Sequence, residues 1–311
     1  MYNPTKPYKN QILELIKTTW NTSYLSVKEG TYALFKRKFS YVEVDHTDGI
    51  GTKGMYHWKQ KSFKNAVQDA LAMNLNDLAL VGAVPYKLQC HLVLPKDDKK
   101  AIIEIMEFLV KECKKWRIAI TGGETSIQHN MQGFDISLTV SGFIRKPKIN
   151  RFRKGDVLMG LASSGLHSNG FTMVTKKLGS KFQKEFIEPT NIYLKTILDL
   201  NKKYDIGGMM HITGGAYTKL KDLLDKTDAI ITNNYKLKPH SIFKELYKKG
   251  ISDYDMYKTF NCGVGFILSV SPEDSIKILS RVKNADIIGK IIPGTGKLKI
   301  VSMFSGKNIE L

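Results

Sequence analysis

Thr47-Asp48-Gly49-Ile50-Gly51-Thr52-Lys53-Gly54 follows the alternating run Tyr41-Val42-Glu43-Val44-Asp45, and the reading of this segment decides the fold. The alternation predicts a strand. Gly49, Gly51 and Gly54 then match G-x-G-x-x-G, a pattern that a dinucleotide-binding turn also uses. Two charges weigh against that use. Asp48 stands directly before the first glycine, where it repels a pyrophosphate unless a cation lies between them, and Lys53 sits inside the loop. An acid, glycines and a lysine together suit a metal–triphosphate better than a dinucleotide. The glycines alone mark only a turn after a strand.

Downstream, residues 62–82 carry Val67, Leu71, Leu75 and Leu78 at helical spacing. Asp69, Met73, Asn76 and Asp77 share one face of that helix. Asp69 and Asp77 are about 12 Å apart along the axis, so they cannot grip one ion and suit opposite ends of a polyphosphate. Asp77 to Pro85 has the form D-x4-G-A-x-P and turns helix into strand. A second helix is expected over 97–116. A short strand, Ile118-Ala119-Ile120, runs into Thr121-Gly122-Gly123-Glu124-Thr125, where glycines admit an anion and Glu124 a cation. A strand over 134–144 ends at Arg145-Lys146-Pro147-Lys148, which places a domain boundary between 1–147 and 148–311. The second half reads as α/β. Strands are expected at 157–161 and 264–270, helices at 191–203, 219–224, 241–249 and 272–282, and a hairpin over 287–303. Gly289 to Lys297 looks like a P-loop, but Thr295 stands where the lysine belongs and the flanks read as hairpin.

Two turns of the second half concentrate polar groups. Ser163-Ser164-Gly165-Leu166-His167-Ser168-Asn169-Gly170 packs hydroxyls, an imidazole and an amide together, and His211-Ile212-Thr213-Gly214-Gly215 is a similar compact turn. Density of this kind marks His167 for function. His46, His57, His91, His129 and His240 lack such company.

Composition narrows the class. With 42% hydrophobic and 25% charged residues over 311 positions, the chain is globular. It offers no apolar run of the roughly 18 residues that a membrane helix needs, nor an apolar signal core at its start. A cytoplasmic location is expected. Cys90, Cys113 and Cys262 form no CxxC pair, which argues against zinc and disulfide frameworks. The net charge is +19, yet only Arg37, Arg117, Arg145, Arg151, Arg153 and Arg281 are arginines. Phosphate clamps and base readers favour arginine, and the lysines are scattered, so a nucleic-acid partner is not expected.

In order, these motifs and the run Met256-Tyr257-Lys258-Thr259-Phe260-Asn261-Cys262-Gly263-Val264-Gly265 resemble the phosphoribosylformylglycinamidine cyclo-ligase (aminoimidazole ribonucleotide synthetase) family, from about Val44 to the C-terminus. The first and the D-x4-G-A-x-P motifs also occur in a wider superfamily of ATP-using enzymes. The Ser163–Gly170 turn and the Tyr257–Gly265 run are more specific. The resemblance implies an α/β (α+β) two-domain synthetase fold whose N-terminal sheets pair into a barrel across a homodimer, with a C-terminal α/β domain. It implies ATP-dependent closure of formylglycinamidine ribonucleotide to aminoimidazole ribonucleotide, with ATP and Mg2+ as cofactors. Asp48, Gly49, Gly51, Thr52, Lys53, Asp69, Asn76, Asp77, Gly122, Gly123, Glu124 and Thr125 would bind ATP, with Asp48, Asp77 and Glu124 holding the metal. Ser164, His167, Ser168, Asn169, Gly170, His211, Thr213, Gly214, Gly215 and Asn261 would bind the substrate, and His167 and Lys53 would be catalytic. Two segments depart from the family pattern: residues 1–40 hold one glycine, Gly30, and Ser126 to Gln132 lack the usual acid and proline. The alternatives are a small-molecule kinase of the same superfamily and a basic, non-catalytic relative that binds nucleic acid.

Overall fold

A computed structural model describes residues 6–179 and 181–311. It divides into two compact units, Met1–Lys146 and Pro147–Leu311.

The first unit is organised around one helix. It contains α1 (Lys9–Lys17), a small hairpin of β1 (Leu25–Lys28) and β2 (Leu34–Arg37), β3 (Val42–Gly49), α2 (Gly54–Gln60), α3 (Phe63–Leu80), β4 (Val84–Leu94), α4 (Lys99–Trp116), β5 (Ala119–Ile127) and β6 (Asp135–Ile144). Helix α3 is alanine- and leucine-rich and buried along most of its surface, as a helix covered by sheet and helix together must be. It packs on β3, β6, β4 and α4. Helix α4 is amphipathic instead. Ile102, Ile105, Met106, Leu109 and Cys113 face inward, Asp98 caps its first turn by accepting from the Ala101 amide at 3.1 Å, and Arg117 ends it in the left-handed region. The sheet order is β3-β6-β4-β5. β4 and β5 are parallel, joined across α4, and the other pairs are antiparallel.

This topology excludes the dinucleotide reading. β3 is an edge strand antiparallel to β6, so it does not open the parallel βαβ unit that a dinucleotide turn needs. The expected strand also runs four residues past Asp45 and takes Thr47, Asp48 and Gly49 into the ladder. A 3-10 turn, Gly51–Lys53, then leads straight into α2. Gly54 allows that tight connection: a Cβ there would lie 1.8 Å from the Phe134 carbonyl oxygen. Thr121 to Thr125 continues strand β5, with Gly122 and Gly123 paired to Gln89 and Cys90.

The second unit holds β7 (Val157–Ala162), α5 (Phe171–Leu178), α6 (Leu194–Asn201), β8 (Met209–His211), β9 (Thr227–Ile231), α7 (Ser241–Lys248), α8 (Asp253–Thr259), β10 (Val264–Val270), α9 (Pro272–Arg281), β11 (Ala285–Pro293), β12 (Leu298–Val301) and β13 (Asn308–Glu310). They form a seven-stranded sheet of order β13-β12-β9-β11-β7-β10-β8. β10 is buried at all its positions, as its unbroken apolar run predicts. The expected hairpin over 287–303 does not form. β9 lies between β11 and β12, antiparallel to the first and parallel to the second. Its Asp228 carboxylate takes the Thr295 and Lys297 amides at 2.7 and 2.9 Å, so the P-loop look-alike is the end of β11 and a turn closed on an acid of β9.

Candidate active site

In the first unit, the turn after β3 is fastened from beneath. Lys53 lies wholly buried, its ammonium 2.8 and 3.0 Å from the two Asp69 carboxylate oxygens. His57 Nε2 lies 2.8 Å from the same carboxylate, and its Nδ1 is 2.8 Å from Ser62 Oγ. Burial alone would raise the Asp69 carboxyl, but Lys53 and His57 together hold it well below the usual carboxylate range. Burial also lowers His57, against the pull of Asp69. This corrects two expectations. Lys53 does not stand ready to counter phosphate charge, and Asp69 does not mark one end of a polyphosphate; each neutralises the other inside the unit. Asn76 is also fully buried, which removes it from a ligand-facing role in this conformation.

The seam between β3 and α3 carries two half-buried acids, Asp48 and Asp77. Asp77 Oδ2 is 3.1 Å from His46 Nε2, Asn74 Oδ1 is 3.0 Å from His46 Nδ1, and Asn74 Nδ2 donates to the Asp48 carbonyl at 3.1 Å. Both ring nitrogens of His46 therefore meet oxygen acceptors. That geometry favours the imidazolium, and the Asp77 contact raises His46 against the opposing effect of burial. On the neighbouring strand, Asp135 accepts the Gly51 amide at 3.2 Å and the Ser137 hydroxyl at 2.8 Å. Thr52 and Gly51 are exposed above this frame.

Glu124 sits elsewhere. Register aligns it through His91 and Ser137 with Gly49, at the opposite edge of the sheet. Three strand spacings are about 14 Å, so within one chain Asp48 and Glu124 cannot ligate one ion. Glu124 pairs instead with Lys6, whose ammonium also donates to the Thr125 carbonyl at 2.9 Å, and that pairing lowers its pKa. Among the described residues no three His, Cys, Asp or Glu side chains gather as a metal-ligand set. The expected trio Asp48, Asp77 and Glu124 is thus not one cluster. Asp48 and Asp77 do fit magnesium by donor chemistry, since that ion takes one or two carboxylates and completes its shell with water and phosphate.

In the second unit, the expected turns come together at the end of β7. Asn261 ties the first of them down, donating to the Gly165 carbonyl at 2.7 Å and accepting the Gly263 amide at 3.0 Å. Asn261 is buried, so both ends of its amide serve the framework and not a ligand. Asn169 donates to the Thr259 carbonyl at 2.6 Å, Ser164 to the Pro189 carbonyl at 2.6 Å, and Ser168 Oγ lies 3.1 Å from Thr190 Oγ1. Gly214 opens toward Asn169, whose Oδ1 would lie 3.8 Å from a Cβ there, which brings the 211–215 turn beside the 163–170 turn. Thr213 and His211 are buried, while Gly215 is exposed.

His167 differs from expectation. It is 1% exposed, with its ring packed among Tyr193 and His211. Its backbone has φ of 60°, a left-handed conformation costing a non-glycine residue about 1–3 kcal/mol. Nε2 accepts the Ser164 amide at 3.2 Å. That bond turns Nε2 into the loop. The ring holds the turn.

Two family models match the chain: AIR synthase related protein, N-terminal domain, over residues 34–144, and AIR synthase related protein, C-terminal domain, over residues 153–301. A phosphoribosylformylglycinamidine cyclo-ligase of Saccharolobus solfataricus is 34% identical over 300 residues, covering 93% of this chain and 90% of its own. That of Methanobrevibacter smithii is 33% identical over 325 residues, covering 96% and 94%. The chain belongs to the phosphoribosylformylglycinamidine cyclo-ligase family. Among solved structures, hydrogenase maturation protein HypE in complex with ATP aligns with a TM-score of 0.68 at 16% identity, covering 89% of this chain and 87% of that one. At that identity the likeness shows the fold.

Against the family pattern, the residues that sequence reasoning passed over are His46, His57, Asn74 and Asp135. His57 and Asp69 are twelve positions apart on different helices, so no local spacing exposes their contact. Asp135 opens a strand as Asp-Ile-Ser, and the alternation of an acid and a hydroxyl on one strand face was the available signal.

Two outcomes follow from this geometry. Asp69→Asn leaves the Lys53 ammonium buried without its counter-charge and should cost about 3–5 kcal/mol in urea unfolding, while Asp98→Asn, at a helix cap that tolerates asparagine, should change little. For His46, the folded pKa lies above the unfolded value of about 6.5. Its stabilising contribution is therefore full below about pH 6.5 and is lost as pH rises through the folded value. The gap in melting temperature between wild type and His46→Gln should be widest in mildly acidic buffer and should close in alkaline buffer; a gap independent of pH would contradict the pairing.

Proposed function

We propose that this chain uses ATP to close the imidazole ring of aminoimidazole ribonucleotide from formylglycinamidine ribonucleotide, releasing ADP and phosphate. It is an enzyme of the cyclo-ligase type. The observation that carries the reading is the complete, ordered motif set lying within both AIR synthase related domains. Neither the kinase nor the nucleic-acid reading has comparable support, since the family-specific turn at 163–170 is intact and the curated relatives are cyclo-ligases.

An amide-type oxygen leaves poorly at neutral pH. Transfer of the γ-phosphoryl group to that oxygen makes phosphate the leaving group; the amidine nitrogen then attacks the same carbon, the carbon–oxygen bond breaks and a proton is lost. Such chemistry depends chiefly on positioning and charge stabilisation. We assign Asp48 and Asp77 to a magnesium ion on the ATP phosphates, a charge-neutralising role, and Gly49, Gly51 and Thr52 to phosphate contact. Asp135 holds the Gly51 amide in place. Glu124, Thr125, Gly122 and Gly123 are assigned a second, separate contact on the far sheet edge. In the second unit, Ser164, Ser168, Asn169, Gly170, Gly214 and Gly215 are assigned to the ribonucleotide, on a loop held by His167 and Asn261.

A homodimer is part of the proposal. Tyr32 at 82% exposure, Leu34 at 64% and Val42 at 61% present apolar surface on the first unit, where β2 is exposed along its length. A patch of this kind is typical of an interaction face. Leu34→Glu combined with Phe35→Glu should turn a dimer into a monomer in light scattering; a wild type that is monomeric at micromolar concentration removes the assignment.

The function is tested by phosphate release from ATP with and without formylglycinamidine ribonucleotide, and by formation of aminoimidazole ribonucleotide. Release should require the ribonucleotide and match product; release without it, or no product, overturns the reading. The residue assignments separate in the same assay. Asp77→Asn should weaken the thermal stabilisation given by ATP with magnesium. His167→Ala should lower turnover about 10²-fold through loop misplacement while leaving ATP affinity nearly intact.

A further inference from the structure

Three segments of the second unit carry or support the residues assigned to the ribonucleotide: the 163–170 turn, the 211–215 turn and the run from Thr259 to Gly265. Each holds, or leads directly into, one non-glycine residue with a left-handed backbone. His167 has φ of 60°, Ala216 of 41° and Cys262 of 49°. Among the described residues six non-glycine positions have positive φ, and three of them lie in this one junction. Strained backbone persists where its surroundings over-determine it, and it gathers at sites that must be held in place.

Tyr217 is the side chain that ties these segments together. It follows Ala216 in the 3-10 helix Ala216–Leu223 and is wholly buried. Its hydroxyl donates to the Asn261 carbonyl at 3.0 Å. The Asn261 side chain in turn donates to the Gly165 carbonyl at 2.7 Å and accepts the Gly263 amide at 3.0 Å. The Gly263 carbonyl accepts the Ser163 amide, also at 3.0 Å. One phenol therefore joins the end of the 211–215 turn to the residue that fastens the 163–170 turn. The Asn261 carbonyl already accepts the Val264 amide at 2.9 Å, so the phenol is not required to satisfy that oxygen. What the phenol adds is a fixed position of one turn relative to the other. Burial pushes the phenol well above its usual pKa, so it keeps its proton and stays a donor.

A neighbouring tyrosine uses the same group differently. Tyr257 is equally buried and packs edge to face on Tyr217, with ring centroids 5.2 Å apart. Its hydroxyl accepts the Met303 amide at 2.8 Å. It fastens the turn at 302–307 and not the two ribonucleotide turns.

We propose that Tyr217 is a positioning residue for the ring-closing reaction: acting through Asn261, its hydroxyl holds the 163–170 turn in place against the 211–215 turn. The role in the reaction rests on the assignment of those turns to the ribonucleotide; the brace itself does not.

Tyr217→Phe tests it, because it removes the hydroxyl, keeps the ring and leaves the Asn261 carbonyl bonded to Val264. Hydrogen exchange on the intact protein, read at the bonded amides of Ser163 and Gly263, should be about five- to tenfold faster in the variant, the factor that one net hydrogen bond supplies. Amides of α3 in the first unit should keep wild-type rates. Tyr257→Phe removes an equally buried hydroxyl from the same cluster and should leave Ser163 and Gly263 unchanged. In steady-state assay, kcat/KM of Tyr217→Phe for formylglycinamidine ribonucleotide should fall about tenfold while KM for ATP stays at its wild-type value. The proposal is overturned if Tyr217→Phe exchanges like wild type, if Tyr257→Phe accelerates the same amides equally, or if an active Tyr217→Phe keeps its kcat/KM or loses ATP in step. A wild type that forms no aminoimidazole ribonucleotide removes the reaction reading by itself, and the exchange rates then still decide whether Tyr217 holds the turn.

Discussion

The buried contact between Lys53 and Asp69 is the interaction on which the first unit depends. It joins the turn after β3 to the middle of α3, the helix that the sheet and α4 enclose. A buried ion pair is costly to desolvate and gives little net stability, but breaking it by halves is severe. Its value here is positional. A lysine at the end of a glycine-containing turn has one place to put its charge, so the turn is drawn down onto the helix. His57 shares the same carboxylate and fixes α2 by the same means. The half-buried acids Asp48 and Asp77 then flank a seam whose geometry is set from within.

The second unit achieves similar rigidity with neutral groups. The polar side chains of the 163–170 turn and of Asn261 engage mostly backbone carbonyls and amides. A loop bonded this way loses little freedom when a ligand arrives, which is what positioning catalysis requires. The left-handed backbone at His167 is tolerated because its ring is packed and its Nε2 bonded. The dense polar composition of the turn therefore serves the framework, with the buried members supporting the more exposed ones.

Charge is distributed with less local meaning. Most of the +19 excess lies on solvated lysines, and many of the acids are engaged, at Asp205 with Arg153 and Lys148 or at Glu124 with Lys6. The long-range field still favours anionic substrates.

Much of the fold was legible in the sequence because periodicity and punctuation are local properties. Helices α3 and α4, strands β10 and β6, and the glycine turn that leads into β4 all follow from spacing within a few residues. The ordered motifs also sufficed to recognise the family. What escaped was decided by partners distant in sequence. Strand β9 enters between β11 and β12 because a sheet selects neighbours by fit, so an apparent hairpin became two separated strands. Lys53 reads as a phosphate ligand because it sits in a glycine-containing loop, and Asp69 because it shares a helix face with Asp77; only packing reveals that they neutralise each other. His46 and Asp135 looked unremarkable in isolation and gained meaning from Asp77 on α3 and from Gly51 in the turn after β3. Sequence determined which chemistry the chain carries, since residue types and order are local. Tertiary structure decided which charges face a ligand and which face one another, because burial and pairing are properties of the whole fold.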